Sequence, residues 1–213
     1  MKPQCCGNKD SQMKACKQTI IPILDNGHGK ETPGKRSPQF GGNWPILYEW
    51  EFNRDIVNRI CRMCQDESIK YWLLVPEEFD ISLQSRCERV NRIYEETGGK
   101  CFLLSIHANA GGGTGWECYT TNGETKSDKI AEILAEQWLL EFGNKWRFRA
   151  DYSDGDADKE SQFYILQHTK CPAILSENLF MDRLEDYQFL MTEAGRERIA
   201  KVHFETIKRL IYD

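Results

Sequence analysis

Short apolar runs alternate with longer amphipathic segments along most of the chain. The runs are rich in β-branched and aliphatic residues, as in the buried strands of a covered sheet. They predict strands over residues 20–25, 71–75, 101–107, 116–120, 163–166 and 173–177. The amphipathic segments predict helices over residues 49–64, 82–97, 125–143 and 192–211. This alternation indicates an α/β layered domain, with a mostly parallel twisted sheet flanked by helices on both faces.

The helix predicted over 49–64 places two glutamates of its first turn on opposite sides. Placing residues at 100° steps gives an apolar stripe formed by Phe52, Ile56, Ile60 and Met63. Glu49 falls within this stripe, whereas Glu51 points nearly opposite. The helix dipole favours a carboxylate in the first turn, but that reason suits both residues equally. Only a role as a ligand explains why Glu49 faces inward.

Three predicted strands end in side chains that can bind a metal ion or carry a proton. The first strand leads into His28, and the third ends at His107, so two of the four histidines lie at equivalent strand ends. The last strand ends at Glu177 in the same way. Open α/β sheets place their chemistry at the carboxyl ends of their strands. We interpret the other two histidines as a loop residue (His168) and a helix-surface residue (His203).

The segment after the first strand has the composition of a functional loop. Gly27 and Gly29 flank His28, and we expect them to allow a sharp turn with no Cβ beside the histidine. The loop over 26–47 is rich in glycine and proline. Loops of that length in compact domains are usually functional or disordered. Because this one is attached directly to His28, we expect it to form part of a site wall.

Composition and charge limit the possible functions. The 213 residues suit one domain, and 40% apolar with 29% charged residues is typical of a soluble globular protein. A net charge of −5 gives no reason to expect a nucleic-acid partner. No apolar run approaches the roughly 18 residues of a membrane span. We expect a monomer.

The first residues differ in character from the rest of the chain. Residues 1–19 are polar and lack an apolar segment, which predicts a flexible N-terminal leader and no secretory signal. Residues 20–213 are expected to form a single catalytic domain. Synthesis in the cytoplasm follows from the lack of a signal.

Two residue clusters favour no site of their own. The nine cysteines include Cys61 and Cys64 at CxxC spacing, but a zinc ribbon needs a second pair. We therefore expect core or helix-surface cysteines in a reducing compartment, with a redox or zinc-storage role as the remaining alternative. The acidic run of Asp151, Asp154, Asp156 and Asp158 lacks the later glutamate of an EF-hand loop, which favours a solvated loop.

The inward-facing glutamate and the strand-end residues together predict a catalytic metal site. His28, Glu49 and His107 supply two imidazoles and one carboxylate, a known catalytic zinc arrangement that leaves a position for water. Zinc lowers the pKa of such a water to about 7 and polarises a carbonyl. Glu177 can then act as general base and acid. Its alternative interpretation is a surface charge at a strand end.

These residues lie in motifs that resemble a known family. Asp25-Asn26-Gly27-His28-Gly29, Glu49, Ser105-Ile106-His107-Ala108-Asn109 and Pro172-Ala173-Ile174-Leu175-Ser176-Glu177-Asn178 resemble, in order, the zinc-dependent N-acetylmuramoyl-L-alanine amidases of the Amidase_3 type. The resemblance implies one Zn²⁺ held by His28, Glu49 and His107, with Glu177 in the catalytic position. It also implies cleavage of the amide between the lactyl group of N-acetylmuramic acid and L-alanine in peptidoglycan.

The last motif continues as Glu-Asn-Leu-Phe-Met-Asp over 177–182, which resembles phage-lysin-like members. A lysin that acts on the cell wall after release or export would fit the missing signal. Two alternatives stay open. A zinc peptidase or deacylase could use the same ligands, and a non-catalytic cell-wall-binding module could keep the fold. Glu177 counts against the second, because a binding module needs no proton shuttle.

Overall fold

The computed structural model describes residues 18–153 and 155–212. The described strands are β1 (Ile21–Asn26), β2 (Trp72–Leu73), β3 (Cys101–Asn109), β4 (Trp116–Thr120), β5 (Lys159–Glu160) and β6 (Ala173–Phe180). The described helices are α1 (Glu49–Asp66), α2 (Leu83–Glu96), α3 (Lys126–Phe142), α4 (Tyr164–Gln167), α5 (Leu184–Leu190) and α6 (Glu193–Tyr212). Most of the predicted leader, residues 1–17, lies outside the described residues. Gln18, at its end, exchanges hydrogen bonds with the backbone of Lys70 at 2.8 and 2.9 Å.

The six described strands form one sheet in the order β2-β1-β3-β6-β4-β5. β1 is parallel to β2 and β3, and β3 is parallel to β6. β4 is antiparallel to β6 and carries β5 at the edge as a parallel partner. The predicted α/β fold with a mostly parallel sheet is therefore confirmed. Because β1, β3 and β6 run in the same direction, their carboxyl ends meet at one edge of the sheet.

Apolar side chains of alternating strand positions form a core on each face of the sheet. On β3, Phe102, Leu104 and Ile106 belong to the larger core, which also contains side chains of α1, α3 and α6. Cys101 and Leu103 belong to the other core, with side chains of α2 and α4. The prediction of helices on both faces is thus confirmed.

Some element predictions were wrong. The segment over 163–166 is not a strand, because Tyr164–Gln167 forms the short helix α4. A short apolar run does not by itself distinguish strand from helix, and here Ile165 and Leu166 pack against α2 in the smaller core. Helix α5 was not predicted. In the described ranges, no helix has the length and apolar character needed to cross a bilayer.

Helix α2 begins as predicted and buries Val90 and Ile93, but its inner face also contains an arginine. The hydroxyl of Ser82 accepts a hydrogen bond from the backbone N–H of Ser85 at 3.2 Å, which caps the helix. Leu83, in the first turn, is 51% exposed, whereas the Arg86 side chain is 2% exposed. Helix α2 therefore places the charged guanidinium group of Arg86 in the protein interior.

His203 is buried in the middle of α6, so its prediction as a surface residue was wrong. Its Nδ1 lies 2.8 Å from the carbonyl of Ile199, which requires the proton on that nitrogen. Nε2, 2.9 Å from the Ser176 hydroxyl, is then free to accept. Burial lowers the pKa of His203 to about 4. The residue is a neutral link between α6 and the strand that carries Glu177.

We expect this histidine to make the protein less stable in mild acid. Between pH 6.5 and about 4 the unfolded chain binds a proton at His203 that the folded chain does not, so the free energy of unfolding falls as the pH falls. From pH 7 to pH 5 the loss should be about 2 kcal/mol greater in the wild type than in His203→Gln. Urea unfolding of both proteins at the two pH values measures this difference. Equal losses would show that His203 does not titrate in this way.

The acidic run is not simply a solvated loop. Asp158 is buried, and its Oδ2 accepts a hydrogen bond from the Thr120 hydroxyl at 2.6 Å. Ligand atoms of Asp128, Asp156 and Asp158 lie within 4.8 Å of one another. Burial, reinforced by the charge of Asp156, raises the pKa of Asp158 to about 7. Asp154 lies outside the described residues.

The described cysteines agree with the prediction of core thiols. Cys61, Cys64, Cys87, Cys101, Cys118 and Cys171 are all buried and free. Burial raises the pKa of Cys61 to about 11 and that of Cys64 further still. Buried, protonated thiols are poor metal ligands and poor nucleophiles, which argues against a redox or zinc-storage role for this pair.

Candidate metal and catalytic site

The loop that carries His28 makes its sharp turn at the histidine itself. His28 has φ +65°, in the left-handed region, whereas neither flanking glycine has a positive φ. A Cβ on Gly27 would lie 2.0 Å from the His107 ring, and one on Gly29 would lie 2.2 Å from the backbone of Asp80. The expectation that the glycines make the turn was therefore wrong. Their lack of a Cβ instead allows the His107 ring to lie against Gly27 and the Asp80 backbone to lie against Gly29.

Three predicted metal ligands converge at the carboxyl edge of the sheet. Glu49 Oε1 lies 3.3 Å from His28 Nε2 and 3.1 Å from His107 Nδ1. The two imidazole rings are nearly perpendicular, with centroids 4.9 Å apart. Glu49 is 1% exposed, whereas Glu51 is exposed. The predicted inward orientation of Glu49 is therefore confirmed.

The three groups influence one another's protonation. Burial alone would raise the pKa of Glu49, but hydrogen bonds with His107 and His28 outweigh it and lower this pKa. Burial lowers the pKa of His28 despite its bond to Glu49. Burial also acts to lower the pKa of His107, but Glu49 and the charge of Glu177 outweigh it, so this pKa is raised. Glu49 is therefore an ionised carboxylate between two imidazoles.

This donor set fits a zinc ion. Glu49 Oε2 is buried and receives no hydrogen bond from any described residue. The ammonium of Lys35 lies 3.8 Å from this oxygen. A buried carboxylate oxygen without a partner is costly, and a bound cation would satisfy it. Two imidazoles and one carboxylate are also a donor set that zinc prefers.

Glu177 lies beside this group on the neighbouring strand. It pairs directly with His107 across β3 and β6, so both side chains emerge on the same face of the sheet. Its Oε2 is buried and has no hydrogen-bond partner among the described residues. Burial raises the pKa of Glu177 to about 8, although the charge of His107 acts in the opposite direction. The sequence pattern had placed Glu177 at the end of its strand, but β6 continues to Phe180.

All four residues border or adjoin one cavity of about 380 Å³, with His28, His107 and Glu177 in its lining. Thr32 and Lys35 also line it, which confirms that the long loop forms a wall of the site. The lining also contains apolar side chains, namely Ile81, Leu83, Phe163, Tyr164, Ile165 and Leu175. Hence the metal-ligand group opens into a space lined by both polar and apolar side chains.

The sequence did not single out Glu117, which pairs with Glu177 on the other side of β6. Arg149 Nε and Lys159 Nζ donate to its Oε1 at 2.6 and 2.5 Å. Asn109 and Tyr119 each donate to its Oε2 at 2.7 Å. Burial would raise the pKa of Glu117, but these donors lower it to about 2. Only the register between β4 and β6 could have revealed that it adjoins Glu177.

Comparisons with known proteins agree with this geometry. The Amidase_3 family model, described as N-acetylmuramoyl-L-alanine amidase, matches residues 23–209. The N-acetylmuramoyl-L-alanine amidase CwlM of Bacillus licheniformis is 31% identical over 129 residues, which cover 61% of this chain and 46% of that protein. The Endolysin of Bacillus phage SPP1 is 26% identical over 132 residues, covering 58% and 45%. The chain thus spans about half the length of these curated relatives.

A solved structure supports the fold. The N-acetylmuramoyl-L-alanine amidase from Clostridium difficile 630 superposes with a TM-score of 0.75, covering 90% of this chain and 96% of that one. At 22% identity this likeness concerns the fold alone. The family match extends over nearly the whole described chain and includes His28, Glu49, His107 and Glu177. The chain therefore belongs to the Amidase_3 family of N-acetylmuramoyl-L-alanine amidases.

Proposed function

We propose that the protein is a zinc-dependent N-acetylmuramoyl-L-alanine amidase. It hydrolyses the amide between the lactyl group of N-acetylmuramic acid and L-alanine in peptidoglycan. The observation that carries this proposal is the convergence of His28, Glu49 and His107 beside Glu177, at a cavity lined by the two histidines and Glu177. Family membership supports the bond that is cleaved, and the donor set supports zinc.

His28, Glu49 and His107 are the residues that would hold the zinc ion. When bound, it supplies a Lewis acid that polarises the amide carbonyl and lowers the pKa of water. The ionised state of Glu49 and its contacts with both imidazoles keep the donor atoms within 4.8 Å of one another before binding. Such preorganisation reduces the cost of assembling the site.

Glu177 moves the proton that the reaction requires. In its ionised form, Glu177 accepts a proton from the attacking water while the water oxygen bonds to the lactyl carbonyl carbon. It then gives that proton to the alanine nitrogen as the C–N bond breaks. The products are a lactyl carboxylic acid and the free amino group of L-alanine. The buried position of its Oε2, without a partner from the described chain, leaves that oxygen available for this exchange.

The cavity supports a bulky substrate. Its lining includes the partly exposed rings of Phe163 and Tyr164 and the exposed Leu83, which can receive sugar and alanine methyl groups. Lys35 also lines the cavity. One chain carries all four proposed site residues, so a monomer is sufficient. Since the substrate is the cell wall, the protein would act there after release or export.

Digestion of purified peptidoglycan tests this function. Zinc-loaded protein should release new L-alanine amino termini and leave the glycan strands intact, as measured by mass spectrometry. EDTA treatment should abolish these products and added zinc should restore them. Internal peptide cuts would instead identify a peptidase. Folded protein that yields no zinc-dependent product from several wall types would favour a non-catalytic wall-binding module.

A further inference from the structure

The backbone carbonyl of His28 accepts hydrogen bonds from two arginines on different helices. Arg54 of α1 donates through Nη1 at 3.0 Å, and Arg86 of α2 donates through Nη2 at 3.1 Å. The two side chains are buried, with Arg54 9% and Arg86 2% exposed. Two guanidinium groups thus meet at one carbonyl oxygen directly behind a proposed metal ligand. We call Arg54 and Arg86 together the arginine clamp.

The surroundings of Arg86 leave it no donor for a substrate. Its side chain carries five N–H groups. Three of them face backbone carbonyls, at 2.9 Å for Ile81, 2.9 Å for Asn26 and 3.1 Å for His28. The other two face carboxylate oxygens, at 2.5 Å for Asp25 Oδ1 and 3.5 Å for Asp80 Oδ1. Asp25 is itself held by the Ser105 hydroxyl at 2.6 Å. Arg86 is therefore suited to positioning the His28 loop and not to contacting the reacting atoms.

Arg54 connects the same loop to the helix that carries Glu49. It donates to the carbonyl of Glu77 through Nε at 3.2 Å and through Nη2 at 2.5 Å. Burial, reinforced by the charge of Arg86, lowers the pKa of Arg54. Placing two like charges together in a buried position is unfavourable. Both cations bind the carbonyl of His28. Asp25, which Arg86 contacts directly, also favours the charged form of Arg54 through its negative charge.

His28 needs such support because its backbone is strained. A non-glycine residue at φ +65° adopts a conformation that L-residues avoid, and it persists only where the surroundings over-determine it. This conformation directs the imidazole Nε2 to within 3.3 Å of Glu49 Oε1. A relaxed backbone at His28 would move the imidazole away from the other two donors.

We propose that the arginine clamp holds His28 in its left-handed conformation and thereby sets the metal affinity of the site. Arg54 and Arg86 are positioning residues that act through His28. The effect on affinity rests on the proposed zinc site, whereas the effect on the conformation of His28 does not. Partners that orient a metal ligand typically contribute 10–100-fold to metal affinity. Lysine cannot replace either arginine, because it lacks the planar fork that reaches several acceptors.

Zinc affinity, measured by competition with a chelator, tests the clamp. Arg86→Gln should weaken zinc binding by about tenfold or more, and Arg86→Lys should bind less tightly than the wild type despite its charge. Arg59→Gln is the matched control. Arg59 is also buried in the described chain, and it bonds to Asp55, Glu193 and Glu197 away from the site. The Arg59→Gln substitution should lower the melting temperature but change the zinc affinity less than twofold.

Two further measurements separate the possible failures. In the metal-free protein, the NMR shifts of His28 should change in Arg86→Gln and stay constant in Arg59→Gln. If Arg86→Gln does not fold, Asp25→Asn replaces it in the test. This variant keeps the side-chain shape but removes the charge that Arg86 binds, and it should change the His28 shifts in the same way by a smaller amount. Equal zinc affinities and unchanged His28 shifts in the clamp variants would overturn the inference. A wild type that binds no zinc would instead contradict the proposed function, while the His28 shifts would still decide whether the clamp holds the loop.

Discussion

Glu177→Gln is expected to keep the fold and the bound zinc but to lose turnover on the order of 10²-fold or more, the typical cost of removing a general base. Glutamine has nearly the same shape as glutamate but cannot take a proton. Glu177 lies beside His107 in the sheet, and its buried Oε2 has no hydrogen-bond partner in the described chain. Turnover of peptidoglycan fragments, measured together with zinc content and melting temperature, separates loss of chemistry from loss of structure.

Glu117→Gln is the matched control for this variant. Glu117 lies next to Glu177 in the sheet, but four side chains of this protein already donate to its carboxylate. Breaking its bonds with Arg149 and Lys159 should lower the melting temperature while most of the turnover remains. Full turnover in Glu177→Gln, or an equal loss in both variants, would remove Glu177 from its proposed role.

Glu49→Ala is expected to weaken zinc binding by more than the 10–100-fold typical of residues that only orient a ligand. The carboxylate of Glu49 contacts both imidazoles, at 3.3 and 3.1 Å, and is almost completely buried. Its removal takes away one of three donors and leaves the two imidazoles without their shared acceptor. Chelator competition measures the zinc affinity.

Glu51→Ala serves as the control for Glu49→Ala. Both glutamates lie in the first turn of α1, so each substitution removes the same favourable interaction with the helix dipole. Glu51 is exposed, and its loss should leave zinc affinity unchanged. If the two variants weakened zinc binding equally, the effect would come from the helix terminus and not from coordination.

The order of the elements and the main site positions could be predicted because each depends on a local pattern. The apolar runs before His28, His107 and Glu177 identify parallel strands, whose carboxyl ends share one edge of a sheet. The helical period alone separates the buried Glu49 from the exposed Glu51. These predictions need no knowledge of which distant segments meet.

The errors arose where burial depends on a partner from a distant segment. The sequence pattern predicts His203 as a polar residue on a helix surface. Its burial is possible because the Ser176 hydroxyl of β6 lies within hydrogen-bonding distance of its ring. Asp158 reads as part of a solvated acidic run, yet Thr120 binds it inside the protein. The segment that forms α4 is too short for its periodicity to distinguish a helix from a strand.

The α/β class, the family resemblance and the identity of the four proposed site residues all follow from the sequence without a structure. Which groups contact these four residues follows only from the tertiary structure. The pairing of Glu177 with His107 and Glu117 depends on strand register. The left-handed conformation of His28 depends on Arg54 and Arg86, which come from separate helices and meet at one carbonyl. A local pattern predicts which apolar residues face inward, but long-range packing decides which polar residues are buried and which side chains touch.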